Sequence, residues 1–281
     1  MSHLNPFLDP SRQEELYGRA SRLTERTSTL MRAKRAGPPV PGTVVDLVRS
    51  HHADADELGV VLDIGCGRGT SSLVLKRLLR PRRLVGLDSS SSLLAQARQR
   101  VQEPTGPHVD FLRGDFHALP LPAEVCDVIV AAFCLYHASR PHDVLAQFAR
   151  VLAPGGLAVL VTKGIDSYRE MDELVAEIGL DVRATQHESL YAAAHSSNLA
   201  GLATSSLDVV TIHDEDHTFV FDGNDHLAQY LATTPKYQFG PDLYGRPEAL
   251  SAILHELRPD QPLTTRSLIT FVVAGRKGER G

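Results

Sequence analysis

Three features of this 281-residue chain predict a doubly wound α/β fold on a mostly parallel sheet. Strand-like and helix-like stretches alternate five times between residues 60 and 163. The strand-like stretches are continuous apolar runs, the pattern of strands buried on both faces. The first of them, Val60-Val61-Leu62-Asp63-Ile64, runs into Gly65, Gly67 and Gly69 and then into a helix. A strand, a glycine turn and a helix N-terminus in that order form a nucleotide-binding βα unit.

Before the sheet, Pro10 and Ser11 lead into a charged helical stretch over residues 13–35, with Leu16, Leu23 and Leu30 seven apart. Arg19, Arg22, Arg26, Arg32, Lys34 and Arg35 make it basic, the ordinary look of a solvated face. Pro38, Pro39 and Pro41 end it, and residues 43–52 read as a second helix carrying Val44, Val45, Leu47 and Val48. After the glycine turn, residues 71–79 read as a helix with Leu73, Leu75, Leu78 and Leu79 on its apolar side. Strands are expected at 83–88, 109–116, 126–133 and 157–162, with helices at 91–101 and 143–152 between them. Pro154-Gly155-Gly156 closes the last helix as a left-handed glycine turn before a strand.

Beyond residue 163 the pattern loosens. Residues 167–177, 188–202, 225–231 and 248–257 read as helices, and 207–213, 218–221 and 267–274 as strands. His213-Asp214-Glu215-Asp216-His217 has a metal-like look, but alternation sends its side chains to both faces, so it reads as a polar turn between strands. The divisions expected are an N-terminal helical cap (1–40), an α/β core (41–221), an insertion (222–262) and a final core strand with its tail (263–281). The insertion holds Tyr230, Tyr237, Phe239 and Tyr244 with no clean helical or strand period. Aromatics so placed suit a pocket wall or a small core under a long loop.

The glycine spacing narrows the ligand. The dinucleotide fingerprint is G-x-G-x-x-G, whereas here glycine stands at every second position, two residues after Asp63. No Gly-Lys-Ser/Thr follows, which removes the phosphate-binding P-loop. The second strand ends in Asp88, 23 residues after Gly65. A carboxylate there either accepts both ribose hydroxyls of a nucleoside or caps the next helix. Asp115, followed by Phe116, either accepts an amino group or caps a surface turn.

The pattern D-x-G-x-G-x-G, the second-strand acid, the Asp115-Phe116 segment and the Pro-Gly-Gly strand occur in order over residues 60–162. Together they resemble the class I S-adenosylmethionine (SAM)-dependent methyltransferases, in particular those acting on small molecules such as quinones and natural products. The resemblance implies a Rossmann-like seven-stranded sheet with helices on both faces, closed by an antiparallel pair. It implies SAM as cofactor, held by Asp63, Gly65, Cys66, Gly67, Gly69, Asp88, Ser89, Asp115, Phe116 and Phe133. Within that set, the glycine turn approaches the methionine portion, Asp88 the ribose, Asp115 and Phe116 the adenine, and Phe133 the sulfonium. Tyr136 and His137 follow the fourth core strand, and His137 has the chemistry of a base or of a loop histidine that only shapes the pocket. The acceptor is expected outside the carboxyl ends of the strands. Tyr17, Tyr237, Phe239 and Tyr244 are its candidate contacts, and the N-terminal helix and the insertion together form its lid.

Composition limits the alternatives. A net charge of -5 and a pI near 6.2 argue against nucleic acid as a partner. Cys66, Cys126 and Cys134 are three in number without C-x-x-C spacing, so neither a disulfide framework nor a zinc site is expected. No apolar run approaches a membrane span and the first 30 residues lack a secretory apolar core, so the expectation is a cytoplasmic protein, compatible with a homodimer. The activity expected is transfer of the SAM methyl to an O or N atom of a small molecule, a secondary metabolite or biosynthetic (for example antibiotic) intermediate. The competing readings are an NAD-dependent oxidoreductase on a similar sheet and a non-catalytic SAM-binding protein.

Overall fold

A computed structural model of the chain describes residues 5–9, 16, 17, 20–102, 106–240 and 242–278. Among these, eight strands form one sheet: β1 (Lys34–Ala36), β2 (Val60–Ile64), β3 (Arg83–Asp88), β4 (His108–Arg113), β5 (Cys126–Ala132), β6 (Leu152–Lys163), β7 (Leu207–Phe221) and β8 (Leu263–Arg276). The helices are α1 (Ala20–Ala33), α2 (Val40–His51), α3 (Thr70–Leu79), α4 (Ser91–Arg100), α5 (Pro141–Val151), α6 (Arg169–Glu177), α7 (Leu199–Ala203), α8 (Asn224–Leu231) and α9 (Pro247–Leu257). The chain divides into two compact units. The first is Met1–Gly37, Gly164–Ala192 and Glu215–Leu268, and the second is Pro38–Lys163, Ala193–Asp214 and Ile269–Gly281. Residues 164–192, which the sequence reading ran into the core, thus cluster with the N-terminal segment.

The second unit carries the α/β core. Strands β4, β3, β2, β5 and β6 pair in parallel in that order, β8 lies antiparallel on β6, and β7 lies beyond β8. Ile64 stands in register with Leu87 on one side and Ala131 on the other, so the carboxyl ends of β2, β3 and β5 finish level. Val61, Leu84, Val128, Val130, Val159, Val161, Phe271 and Val273 form one buried apolar cluster with Val44, Val45 and Val48 of α2. In α3 the buried positions are Ser72, Leu75, Lys76 and Leu79, while Leu78 is 44% exposed. The expected apolar side is therefore corrected: the i, i+3, i+4 and i+7 row from Ser72 faces inward, and Leu78 falls off it. Burying a leucine such as Leu75 contributes about 1.5–3 kcal/mol.

The eighth strand, β1, is an addition to the expected seven. Lys34-Arg35-Ala36 reads as the end of a basic helix, yet it pairs antiparallel with β7 at Phe219 and Thr218. Two basic residues and an alanine carry no strand period, so the partner strand decides their conformation. Of the helix expected over 13–35, residues 16, 17 and 20–33 are helical, and residues 10–15, 18 and 19 lie outside the described residues, as does Pro241 of the insertion.

Two further expectations are corrected. The polar run at 213–217 is not a turn, because β7 continues unbroken from Leu207 to Phe221. Glu215, His217, Phe219 and Phe221 alternate inward, and Glu215 and His217 are buried as a pair, Oε2 to Nε2 2.9 Å. Pairing lets two polar side chains occupy an inward strand face that their types disguise. The helix expected over 188–202 survives only as α7. Ahead of it the Asn198 side chain accepts from the His195 backbone N–H at 2.7 Å, and such local bonds compete with helix formation.

Within the first unit, the N-terminal helix and the insertion are in contact. His226 Nε2 donates to the Thr29 carbonyl at 3.1 Å, Arg32 bonds Gln229, and the Arg22 guanidinium lies 4.5 Å from the Tyr244 ring centroid.

Candidate active site

The glycine turn is built by steric necessity. Gly65, Gly67 and Gly69 all have positive φ, at 63°, 54° and 76°. A Cβ on Gly65 would stand 2.6 Å from Cys134 Cβ, and one on Gly69 would stand 3.0 Å from Ala97. These two positions therefore demand glycine for the protein's own packing, whatever they bind. Cys66 is buried between them and its N–H donates to Leu87 O at 3.1 Å. Burial first, then the nearby Asp63 and Asp88 carboxylates, pushes its thiol far above the usual range, so Cys66 is inert.

Asp63 is buried at the end of β2 and accepts a hydrogen bond from Ser72 Oγ at 2.5 Å. That bond pins α3 to the strand beneath it. Desolvation dominates at this site: the carboxyl is pushed up to about 7, against the lowering effect of Ser72. Asp63 is thus a support for the turn.

Asp88 ends β3. Its Oδ2 accepts from the Gly67 N–H and its Oδ1 from the Ser90 N–H, both at 2.8 Å. It does not cap the following helix: Ser90 does, through Oγ to the Leu93 N–H at 3.3 Å. Burial raises its pKa while the backbone bonds from Ser90, Gly67 and Ser89 oppose the rise. A carboxylate has about four acceptor positions. The position left after the backbone bonds suits a ribose hydroxyl, so the site suits a nucleoside cofactor. Ser89 is exposed and its carbonyl accepts from Arg113 Nε at 3.1 Å.

Asp115 lies past β4 and is exposed. Its Oδ1 accepts from the His117 N–H and the His117 ring Nδ1, each at 2.8 Å. Phe116 is half-buried and stacked on the His117 ring, centroids 4.9 Å apart. Phe133, after β5, has φ +58°, a strained conformation for an aromatic residue, and Lys163 Nζ at the end of β6 lies 5.5 Å from its ring centroid. A residue held in strain at the carboxyl end of a sheet is a signature of a ligand site. His137 is half-buried in a short 3-10 turn over Leu135–His137, its ring 4.7 Å from that of the buried Tyr136.

The carboxyl end of β2, β3 and β5 thus bears Asp63, the glycine turn, Asp88 and, just past β5, Phe133, Tyr136 and His137. The four candidate acceptor contacts lie in the first unit. Tyr237 is buried there, its hydroxyl donating to Asp172 Oδ1 at 2.9 Å, and Lys236 pairs with the other oxygen. Tyr17 takes a bond from Arg26 at 3.2 Å. Phe239 and Tyr244 are half-buried. Four supporting residues escaped the sequence reading: Ser72, Ser90, His117 and Lys163. Ser90 and His117 carried a local signal, each standing two residues after an aspartate, the spacing of an Asx turn.

A family model described as a methyltransferase domain matches residues 61–156. The malonyl-[acyl-carrier protein] O-methyltransferase of Laribacter hongkongensis is 29% identical over 286 residues, covering 98% of this chain and 92% of that one. A 37.1 kDa protein in transposon TN4556 of Streptomyces fradiae is 38% identical over 107 residues, covering 38% of this chain and 30% of that one. The chain spans less than two thirds of the first two curated relatives it matches, 30% and 59% of their lengths. The crystal structure of the YcgJ protein from Bacillus subtilis shares the fold, with a TM-score of 0.53 and 19% identity over 85% of this chain and 98% of that one.

Proposed function

We propose that this chain, a member of the class I SAM-dependent methyltransferases, transfers the SAM methyl group to an oxygen atom of a small-molecule acceptor. The observation that carries the reading is the Asp88 carboxylate, fixed by the Gly67 and Ser90 N–H groups at the end of β3 with acceptor capacity left. SAM supplies an activated methyl on a sulfonium, so the chemistry is an in-line displacement. What remains for the protein is binding, orientation and exclusion of water. Asp88 takes the ribose and Asp115 with Phe116 the adenine. Gly65, Cys66, Gly67 and Gly69, supported by Asp63 and flanked by Ser89, line the methionine portion. Phe133 offers its ring face to the sulfonium, an attraction of about 0.5–2 kcal/mol.

An oxygen acceptor is supported by the relative that matches nearly the full chain, a malonyl-[acyl-carrier protein] O-methyltransferase by name. A malonyl group bears a carboxylate, which is ionised at neutral pH and needs no base. We extend that acceptor chemistry to this chain. Lys163, at the end of β6, is a cation suited to hold such an anion beside a cationic sulfonium. In this reading His137 is a hydrogen-bonding, orienting group. A secondary-metabolite acceptor is part of the proposal, as is a lid formed by the N-terminal helix and the insertion.

The test is calorimetry with SAM, S-adenosylhomocysteine and NAD, followed by a screen of carboxylate, hydroxyl and amine acceptors with methyl-labelled SAM. Micromolar binding of SAM and labelling of a carboxylate are expected. Binding of NAD without SAM would sink the methyltransferase reading, and labelling of amines alone would sink the oxygen acceptor. A second expected result concerns selectivity. Phe239→Ala is expected to raise the acceptor KM several-fold with the SAM dissociation constant unchanged, since an exposed part of an aromatic wall is worth about 1 kcal/mol. Equal kinetics in the variant would remove Phe239 from the acceptor site.

A further inference from the structure

The segment assigned to adenine contains a histidine whose arrangement is costly for the fold. His117 sends two donors, its backbone N–H and its ring Nδ1, to one oxygen of Asp115, Oδ1, each at 2.8 Å. The Asp115 carboxylate accepts only, so the ring proton of that bond sits on Nδ1. The opposite ring nitrogen, Nε2, is buried with no hydrogen-bond partner among the described residues. A buried polar atom left unpaired works against stability. The ring is held flat against Phe116, at 4.9 Å and 20° between planes. A histidine kept for stability alone would satisfy both nitrogens, or be replaced by an apolar ring of the same shape.

We infer that His117 is a positioning residue for cofactor recognition: it fixes Asp115 through Oδ1 so that Oδ2 is presented to the adenine amino group. The inference rests on the adenine role given to Asp115 above, and goes beyond it to the group that makes that role selective. A carboxylate on an exposed turn rotates freely about its terminal bond. Two donors on the same oxygen stop that rotation and leave one oriented acceptor. They also help to keep the group ionised: burial alone would raise its pKa, and the two His117 bonds, with the His117 and Arg140 charges, more than offset this, so Asp115 lies below its ordinary value. An ionised, oriented acceptor favours an amino group over a carbonyl at the same place on a purine.

The inference separates two properties that a structural role would couple. His117→Phe keeps a flat ring against Phe116 and removes both the Nδ1 donor and the orphaned Nε2. His117→Asn keeps a donor near the Nδ1 position. The experiment measures, by calorimetry on the full chain, the affinities for S-adenosylhomocysteine and for its hypoxanthine counterpart, with melting temperatures of the unliganded proteins alongside. Wild type is expected to prefer the adenine ligand by about 10-fold or more, the value of one charged hydrogen bond. His117→Phe should bring that preference to within about 3-fold while its melting temperature holds or rises, and His117→Asn should keep most of the preference. A folded His117→Phe with the preference intact would overturn the inference. So would a variant that melts far lower or fails to fold, since His117 would then be a structural residue. Wild type binding both ligands alike would remove adenine from Asp115 and this inference with it, leaving the methyltransferase reading in place. Binding neither would overturn both.

Discussion

Asp88→Asn is expected to weaken SAM binding by roughly 10- to 150-fold, the equivalent of one charged hydrogen bond of about 1.5–3 kcal/mol. Asparagine keeps the shape of the side chain but offers one acceptor oxygen in place of two. In the folded protein both oxygens are in use, Oδ2 by the Gly67 N–H and Oδ1 by the Ser90 N–H. The amide NH2 must therefore face one of those donors, and it has no lone pair for a ribose hydroxyl. The loss falls on cofactor affinity more than on stability, because the carboxylate's own burial already counts against the folded state. Calorimetry on a variant shown folded by circular dichroism decides it. An unchanged dissociation constant would confine Asp88 to holding the glycine turn.

Much of this arrangement is legible in the residues alone, and the limit of that reading has a physical pattern. The parallel core strands β2, β3, β4 and β5 were expected within three residues of their observed ends, because apolar runs between glycine and proline turns specify buried strands directly. The carboxyl ends of the strands carry the acids and glycines in the expected order. What the sequence reading missed depended on a partner distant in the chain. β1 is a strand only because β7 is beside it, and His217 faces inward only because Glu215 is there to pair with it. Tyr237 read as an unpatterned aromatic, and its hydroxyl is bound to Asp172, 65 residues away. Site residues that act through another residue are hidden for the same reason. Ser72 and His117 are ordinary polar residues until the carboxylates they hold are located.

The pH dependence of stability is expected to carry the mark of one buried acid. Asp63 is fully buried, and desolvation, opposed by Ser72 and reinforced by the Asp88 charge, pushes its carboxyl from the ordinary 3.8 up to about 7. Between those two values the folded chain holds a proton that the unfolded chain has released. Stability must therefore fall as pH rises through that window, with the full penalty present above about 7. A difference of that size corresponds to a loss on the order of 4 kcal/mol. Asp63→Asn removes the titration while leaving an oxygen to accept the Ser72 hydroxyl, so the variant should be nearly level with wild type at pH 4.5 and distinctly more stable at pH 7.5. Asp88 and Asp172 are also raised, by burial first, and contribute slopes of the same sign to both proteins, so the difference between the two curves reports Asp63 together with its coupling to Asp88. Urea unfolding of the unliganded proteins across pH 4.5–8 measures it. Parallel curves would mean that Asp63 keeps an ordinary carboxylate pKa, with water reaching it beneath the glycine turn. A diverging pair would identify a motif acid that weakens the fold at neutral pH while it anchors Ser72 and, through it, α3 behind the glycine turn.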